Sequence, residues 1–146
     1  MNNTKTNILR DTNEFSVKEK MLSLAEQASK RAYAPYSGFY VGACLLAASG
    51  KYYCGCNIEN AAYSPTNCAE RTALFTAVYE GERAFTALAV YCSGQRPSSP
   101  CGVCRQALSE FCAPDMKVYM GCASGQFAEC TLGELLPFGF GKEDLQ

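Results

Sequence analysis

Three cysteines, Cys68, Cys101 and Cys104, are the residues best suited to chemistry in this chain of 146 residues. The chain has 10 cysteines and no histidine, so any zinc it binds must be held by thiolates, with Asp or Glu as the other donors. Cys101 and Cys104 stand at i and i+3 in Pro-Cys-Gly-Val-Cys, which puts both sulfur atoms on one side of a helical turn. Three protein ligands leave a fourth tetrahedral position open, as is typical of catalytic zinc.

Glu70 is the candidate general base beside these thiols, two residues after Cys68. Without histidine no Ser–His–Asp or Cys–His arrangement is possible, so proton transfer must use a carboxylate, Lys, Tyr or a thiolate. Three thiolates outweigh the 2+ charge of zinc and weaken its effect on the pKa of water, which makes a neighbouring base necessary. Arg71 follows directly, and we expect its positive charge to offset the excess thiolate charge.

The hydrophobic pattern predicts the elements that must position these residues. Apolar residues at helical spacing and short runs rich in Val, Leu, Phe, Tyr and Cys, with turn residues between them, indicate helices and strands that alternate along the chain. The predicted fold class is α/β, a three-layer α/β/α sandwich with helices on both faces of a mixed five-stranded sheet. We expect the three thiols to meet at the carboxyl ends of the strands. The predicted helices are 17–32, 68–80 (capped by Thr66 or Asn67 and closed by Gly81), one that starts at 98–100 with a serine cap, and 132–136; the predicted strands are 39–48 and 51–56 (joined by a tight hairpin at Ser49-Gly50), 86–92, 117–122 and 126–131.

Two other uses of these cysteines compete with a catalytic zinc. Pro-Cys-Gly-Val-Cys at the start of a helix after a strand is also compatible with thioredoxin-like thiol chemistry. A structural zinc is the second alternative, with Cys56, Cys92 or Cys112 as a fourth ligand. The joint pattern, Cys-Ala-Glu at one helix start and Pro-Cys-x-x-Cys at the next, favours the catalytic zinc. The other cysteines in apolar runs are predicted to be ordinary buried residues: Cys44, Cys54, Cys92 and Cys122.

Composition indicates one intracellular domain. No Pro/Gly/Ser-rich stretch divides the chain, so residues 16–146 are predicted to form a single domain, preceded by a flexible N-terminal arm at 1–15. The sequence has no signal-peptide pattern and no apolar run of about 18 residues, so we expect a cytoplasmic protein with no membrane partner. The net charge of −1 and the absence of a Lys/Arg cluster argue against a nucleic-acid partner.

The joint pattern resembles the zinc nucleoside deaminases, and most closely the small homotetrameric cytidine deaminases of nucleoside salvage. The similarity runs from about Ala25 to Leu145. It implies one Zn²⁺ per chain on Cys68, Cys101 and Cys104, with Glu70 moving protons. Many related deaminases use His as the first ligand, and Cys68 fits the all-cysteine subgroup. The matching segments are Ala34-Pro-Tyr-Ser-Gly-Phe-Tyr-Val-Gly-Ala43, Gly55-Cys-Asn-Ile-Glu-Asn-Ala-Ala-Tyr63, Cys68-Ala-Glu-Arg-Thr-Ala73, Ser99-Pro-Cys-Gly-Val-Cys-Arg-Gln106 and Leu135-Leu-Pro-Phe-Gly-Phe140.

The resemblance implies the hydrolytic deamination of cytidine and 2′-deoxycytidine to uridine and 2′-deoxyuridine, with release of ammonia. A pyrimidine nucleoside would be the small-molecule partner, and the subunits of a homotetramer would share their active sites. Within the deaminases, the alternative is an enzyme that acts on a cytosine-nucleoside analogue such as blasticidin S. From other classes, the alternatives are a thiol oxidoreductase and a structural zinc protein.

The resemblance also assigns substrate contacts on the chain's own side of the site. It implies that Asn57 and Glu59 hydrogen-bond the ribose 3′-hydroxyl, and that Phe39 packs on the pyrimidine. It implies that Arg71 hydrogen-bonds the zinc thiolates, in agreement with the charge argument. Tyr40 departs from the family pattern, which often has Pro at this position, so the shape of this loop is open.

Further contacts are implied around and across subunit boundaries. Ala61 and Tyr63 would reach the nucleoside from a neighbouring subunit, and Ala69 would contact the substrate beside Cys68. Phe140 would close over the base from another subunit. Phe138 lies two residues away, and the sequence leaves open which of the two rings stacks on the base.

Overall fold

Five strands and four α-helices follow one another in the computed structural model, which describes residues 4–146 and their side chains from residue 16 onward. Residues 1–3 of the predicted N-terminal arm lie outside the described residues. The elements are α1 (Thr4–Ser29), β1 (Val41–Ala47), β2 (Tyr52–Cys56), α2 (Ala69–Tyr79), β3 (Phe85–Cys92), α3 (Gly102–Ser109), β4 (Cys112–Cys122), β5 (Phe127–Thr131), α4 (Leu132–Leu135) and a final 3₁₀ helix (Lys142–Leu145).

The strands form one mixed sheet in the order β2-β1-β3-β4-β5. β1 is antiparallel to both β2 and β3, β3 is parallel to β4, and β5 is antiparallel to β4. β2 and β3 therefore run in the same direction, and their carboxyl ends lie at the same edge of the sheet. The predicted hairpin between β1 and β2 is confirmed, and Gly50 takes its left-handed position with a φ of 91°.

Helices cover both faces of this sheet, which confirms the three-layer arrangement. Side chains alternate between the two faces of a strand, so one strand serves two hydrophobic cores. In β1, Ala43 and Leu45 belong to the core under α2, α3 and α4, whereas Cys44 belongs to the core under α1 with Met21 and Ala25. α1 thus packs on one face, and the two helices that carry the candidate site residues pack on the other.

The starts of α2 and α3 differ from the predicted ones. The predicted caps, Thr66 or Asn67 for α2 and a serine for α3, are wrong, because the N-cap residues are Cys68 and Cys101. Neither cysteine side chain makes a capping hydrogen bond. Both helices therefore begin at thiols, where sequence rules look for a hydroxyl or a carboxylate. The end of α2 is as predicted, with Gly81 at a φ of 100°.

Two elements extend beyond their predicted limits, and a third element was not predicted. α1 begins at Thr4, so it includes residues 4–15 of the predicted flexible arm, and the division of the chain into arm and domain stays a prediction. β4 begins at Cys112, but its regular pairing with β3 resumes at Lys117, the residue at which the strand was predicted to start. Residues 113–115 are exposed and lie where the register with β3 shifts, so they lack the buried apolar run that marks residues 118–122. The final 3₁₀ helix carries no apolar pattern that could have revealed it.

The ten cysteines are all free thiols. Cys44, Cys92 and Cys122 are buried as predicted, but Cys54 is exposed because it lies on β2, an edge strand of the sheet. Among the residues that the structure describes, no helix has both the length and the apolar character needed to span a bilayer.

Two glycines allow helices to approach the sheet more closely than any side chain would permit. A Cβ atom on Gly42 of β1 would collide with the backbone of α1, at the carbonyl oxygen of Ala25 and the nitrogen of Ser29. A Cβ atom on Gly55 of β2 would lie 2.5 Å from the carbonyl oxygen of Ala69, at the start of α2. The second contact sets the position of the helix turn that carries Glu70.

Gly42→Ala should destabilise the protein by at least about 3 kcal/mol, because the added methyl group meets helix backbone that cannot rotate away. Urea unfolding followed by circular dichroism measures this loss. Gly121→Ala in β4 is the matched control, since its Cβ would face α1 but meet only side-chain atoms, the flexible end of Leu22 at 3.3 Å and the ring of Tyr91 at 3.6 Å. Equal losses in the two variants would contradict the tight packing of α1 on Gly42.

Candidate functional site

Cys68, Cys101 and Cys104 meet at the edge of the sheet where β2 and β3 end. Their sulfur atoms all lie within 4.8 Å of one another, and those of Cys68 and Cys101 are 3.7 Å apart. Cys68 and Cys101 are the N-cap residues of α2 and α3, and Cys104 lies one turn into α3. The expected meeting of the three thiols at the carboxyl ends of the strands is therefore confirmed.

The spacing and chemistry of this group fit zinc. A tetrahedral zinc with Zn–S bonds of about 2.3 Å holds its sulfur ligands about 3.8 Å apart, close to the observed separation of Cys68 and Cys101. Within the described part of the chain, no fourth Cys, Asp or Glu joins the group. Cys56, Cys92 and Cys112 lie outside it, which argues against the four-cysteine structural zinc. Three thiolates with one open position remain, the arrangement of a catalytic site.

Arg71 binds two of the three sulfur atoms. Its Nε donates a hydrogen bond to Sγ of Cys104 at 3.4 Å, and its Nη2 donates to Sγ of Cys68 at 3.5 Å. Three thiolates and a 2+ ion carry a net charge of −1, which one guanidinium balances. The contacts agree with the role in charge compensation that was expected for Arg71. A lysine would offer a single ammonium nitrogen in place of the planar fork whose Nε and Nη2 each bind one sulfur.

The thiols of this group differ in acidity. The hydrogen bond from Cys104 lowers the pKa of Cys68 to about 5, with further contributions from Arg71 and Cys101. The same interaction, together with burial, raises the pKa of Cys104. One proton is therefore shared between two adjacent sulfurs. Such a cluster favours a bound cation, since thiolates are the form that ligates zinc.

Glu70 is a buried carboxyl directly beside the thiols. Only 4% of its surface is exposed, and its Oε2 lies 3.9 Å from Sγ of Cys104. The pKa of Glu70 is raised to about 7, mainly by burial and in part by the charge of Cys68, whereas a hydrogen bond from its own backbone and the charge of Arg71 act in the opposite direction. A carboxyl with this pKa can both accept and return a proton near neutral pH.

Asn57 and Glu59, the expected ribose contacts, are engaged within the chain. Oδ1 of Asn57 accepts a hydrogen bond from the backbone of Val41 at 2.8 Å, and its Nδ2 donates to the carbonyl of Phe39 at 2.8 Å. Both carboxylate oxygens of Glu59 accept hydrogen bonds from Ser37, which lowers the pKa of Glu59. The two side chains therefore shape the loop that presents Phe39.

The expected aromatic contacts are exposed on the chain. Phe39 is 38% exposed and Tyr63 is 73% exposed, and Ala61 beside it is also exposed. The ring of Tyr63 makes an edge-to-face contact with Tyr36, at 6.2 Å between centroids. Ala69, in contrast, is fully buried at the first turn of α2. The rings of Phe39 and Tyr63 are therefore both accessible at the surface of the single chain.

Phe140 lies towards the far end of α3 from Cys101. Its carbonyl accepts a hydrogen bond from Nε2 of Gln106 at 2.8 Å, and the residue lines a cavity with Ser109 and Phe111. Phe140 remains 59% exposed, while Phe138 is fully exposed. The single chain therefore does not bring the Phe140 ring onto its own thiol group.

Three residues that were not predicted from the sequence also hydrogen-bond to segments of the site. They are Ser37, Arg105 and Gln106. Ser37 holds Glu59, and Gln106 holds the carbonyl of Phe140. Arg105 binds the carbonyl of Pro100, directly before Cys101. Their only signal in the sequence is that they lie inside segments that carry the resemblance.

The fold and the thiol group define a zinc enzyme in which a buried carboxyl stands beside an open metal position. The chain matches the family described as the cytidine and deoxycytidylate deaminase zinc-binding region over residues 15–122. It belongs to this family. A cytidine deaminase of Sporosarcina psychrophila is 54% identical over 127 residues, covering 87% of this chain and 93% of the relative. A cytidine deaminase of Halalkalibacterium halodurans is 50% identical, with 88% and 97% covered.

Solved structures support the same assignment. The crystal structure of cytidine deaminase from Burkholderia pseudomallei is 44% identical and superposes with a TM-score of 0.80, covering 84% of this chain and 98% of that one. The crystal structure of cytidine deaminase from Mycobacterium tuberculosis is 35% identical with a TM-score of 0.73, covering 84% and 96%. The expected family and fold are thus confirmed.

Burial of Glu70 makes the stability of the protein depend on pH. Its pKa rises from 4.5 to about 7 on folding, so the folded state binds more protons than the unfolded state between these values. The free energy of unfolding therefore falls as pH rises through this window. Glu70→Gln cannot lose a proton, and its stability relative to the wild type should increase by about 3 kcal/mol between pH 4.5 and 7.5.

Chemical denaturation at a series of pH values measures this difference. Glu80→Gln, at the exposed end of α2, is the control and should show no gain that depends on pH. A constant difference between Glu70→Gln and the wild type over the whole pH range would contradict the raised pKa.

Proposed function

We propose that the protein catalyses the hydrolytic deamination of cytidine and 2′-deoxycytidine, giving uridine and 2′-deoxyuridine with release of ammonia. The observation that carries this proposal is the buried carboxyl of Glu70 beside a three-thiol group that leaves one metal position open. Relatives at 54% and 50% identity named cytidine deaminase support the choice of substrate. The thiol oxidoreductase is disfavoured, because Cys101 and Cys104 share their group with Cys68, which has no place in a two-cysteine redox motif.

Glu70 carries the proton transfers of the proposed reaction. Zinc held by Cys68, Cys101 and Cys104 supplies a Lewis acid that makes water nucleophilic at neutral pH. Glu70 takes a proton from the attacking water and delivers it to N3 of the cytosine ring, while the water oxygen bonds to C4. Glu70 then moves the second proton to the amino group, the C4–N bond breaks, and ammonia leaves. Water and nucleoside thus become uridine and ammonia.

The environment of Glu70 suits both transfers. A carboxyl with an ordinary pKa would hold the proton too weakly between the two steps, whereas burial raises the pKa of Glu70 to about 7. Arg71 holds Cys68 and Cys104 and leaves the carboxyl free to face the substrate. The site therefore separates charge compensation from proton transfer.

Substrate recognition is proposed to use the loops around this centre. Asn57 and Glu59 support the loop of Phe39, and they are proposed to bind the ribose with their remaining hydrogen-bonding capacity. Phe39 would pack on the pyrimidine. Ala69, the first residue of α2, would contact the base through its backbone, since the first N–H groups of a helix have no intrahelical partner.

A homotetramer with shared sites is the proposed assembly. Tyr63 and Phe140 are 73% and 59% exposed on the single chain. Large apolar side chains that are this exposed typically mark a surface that another subunit covers. Tyr63 with Ala61 would complete the nucleoside site of one neighbour, and Phe140 would close over the base of another. The proposed compartment is the cytoplasm, where thiols stay reduced, in keeping with ten free cysteines. Pyrimidine salvage is the proposed role there.

Glu70→Gln should retain zinc and lose between about 100-fold and 10,000-fold in kcat, because the amide cannot carry the proton. The loss of ultraviolet absorbance of cytidine measures turnover, and metal analysis measures zinc per chain. Glu80→Gln, on the same helix and exposed, should keep the wild-type rate. Turnover near the wild-type rate in Glu70→Gln would rule out its role.

Mixed assemblies can show whether Phe140 acts in a neighbouring site. Phe140→Ala alone should raise KM for cytidine about tenfold, since stacking on a base contributes roughly 1–3 kcal/mol. When Phe140→Ala and Glu70→Gln chains are expressed together, sites with an intact Glu70 receive an intact Phe140 from the other variant. Activity at low cytidine should then exceed the sum of the separate variants. A strictly additive result would mean that Phe140 serves its own chain or none.

A further inference from the structure

Arg105 donates three hydrogen bonds to neutral oxygens around the start of α3. Its Nε donates to the carbonyl of Pro100 at 2.6 Å, and its Nη2 donates to the hydroxyl of Ser99 at 2.8 Å. Its Nη1 reaches the carbonyl of Leu135, the last residue of α4, at 2.7 Å. Neither salt bridge found in the described part of the chain involves Arg105. All three guanidinium nitrogens therefore donate to carbonyl or hydroxyl oxygens of the chain, and none donates to a carboxylate.

The first two bonds fix the segment directly in front of Cys101. Pro100 is fully buried, and Arg105 binds its carbonyl oxygen. Because the peptide bond is planar, fixing this oxygen also fixes the backbone nitrogen of Cys101. Cys101 is the exposed member of the thiol group, and its side chain makes no capping bond. The bonds of Arg71 go to the other two sulfurs. Beside its 3.7 Å contact with the sulfur of Cys68, the position of the Cys101 thiol thus depends on its backbone.

The third bond extends the same anchor to the C-terminal segment. Leu135 opens residues 135–140, which end at Phe140. Gln106, the neighbour of Arg105, donates from Nε2 to the carbonyl of Phe140 at 2.8 Å. Two adjacent side chains of α3 therefore hold both ends of this segment against the helix that carries Cys101 and Cys104.

We propose that Arg105 is a positioning residue that holds Cys101 in its zinc-binding place and, with Gln106, sets the segment of Phe140 relative to that place. The part that concerns Phe140 rests on the proposed function. The part that concerns Cys101 requires only that the three thiols bind zinc. Residues that orient metal ligands typically change metal affinity about 10-fold to 100-fold when replaced. Lysine cannot reproduce three bonds from one planar group, so Arg105→Lys keeps the charge and loses the geometry.

The release of zinc from the loaded protein tests the first part. The purified zinc-loaded chain is mixed with an excess of a chelator whose absorbance changes on binding zinc, and the release rate is measured. Arg105→Lys should release zinc about tenfold faster than the wild type. Arg83→Lys is the matched control, because Arg83 also donates to backbone carbonyls, those of Val78 and Glu82, at the opposite end of α2. It should release zinc at the wild-type rate.

Two further variants keep the test decisive. Ser99→Ala removes one bond of Arg105 and should speed release about threefold, even if Arg105→Lys folds poorly. Gln106→Leu frees only the C-terminal segment, so it should release zinc at the wild-type rate while KM for cytidine rises severalfold and kcat changes by less than about twofold. A merely structural role of Arg105 would lower the melting temperature and leave the release rate unchanged.

Wild-type release rates in both Arg105→Lys and Ser99→Ala would overturn the inference, as would equally fast release from Arg83→Lys. Failure of the proposed function has a different signature. A wild-type chain that binds zinc but leaves cytidine unchanged contradicts the deaminase, while faster zinc release from Arg105→Lys would still support the role of Arg105 at Cys101.

Discussion

The concentration of negative charge at the edge of the sheet is the constraint on which the site depends. Three thiols and the carboxyl of Glu70 converge there, and Arg71 is the guanidinium that hydrogen-bonds to the sulfurs. A 2+ ion and Arg71 together balance three thiolates, so a fourth negative charge on Glu70 has no partner left. Burial strengthens this effect, because charges interact more strongly away from water. The carboxyl of Glu70 can therefore bind a proton near neutral pH and can also release it.

The fold meets this constraint by bringing two helix starts together. Because β2 and β3 run in the same direction, α2 and α3 begin at one edge, and each begins at a ligand cysteine. Gly55 lets the first turn of α2 lie against β2 without a gap. The unpaired N–H groups at both helix starts favour thiolates, each by roughly 0.3–1 kcal/mol. These are small contributions beside that of the metal, so the helices mainly provide position.

The sequence was sufficient for the centre of the site and less so for its surroundings. Zinc ligands follow from cysteine spacing and the absence of histidine, and the sheet follows from short apolar runs bounded by turn residues. The helix starts were predicted wrongly, since rules for caps expect hydroxyls where this chain places thiols. The contacts of Asn57 and Glu59 could not be predicted either, because residues 16 and 22 positions apart in the chain meet only in the folded loops. Arg105 carries no signal of its own, because its partners lie on two separate segments, Ser99-Pro100 and Leu135.

X-ray absorption at the zinc edge tests the central claim most directly, since it counts the atoms bound to the metal. The zinc-loaded wild-type protein should show three sulfur neighbours at about 2.3 Å and one oxygen or nitrogen neighbour at about 2.0 Å. This result is expected because the described part of the chain offers three thiols and no fourth ligand within their group. Four sulfur neighbours would mean a closed structural site, and would contradict the account of an open position served by Glu70.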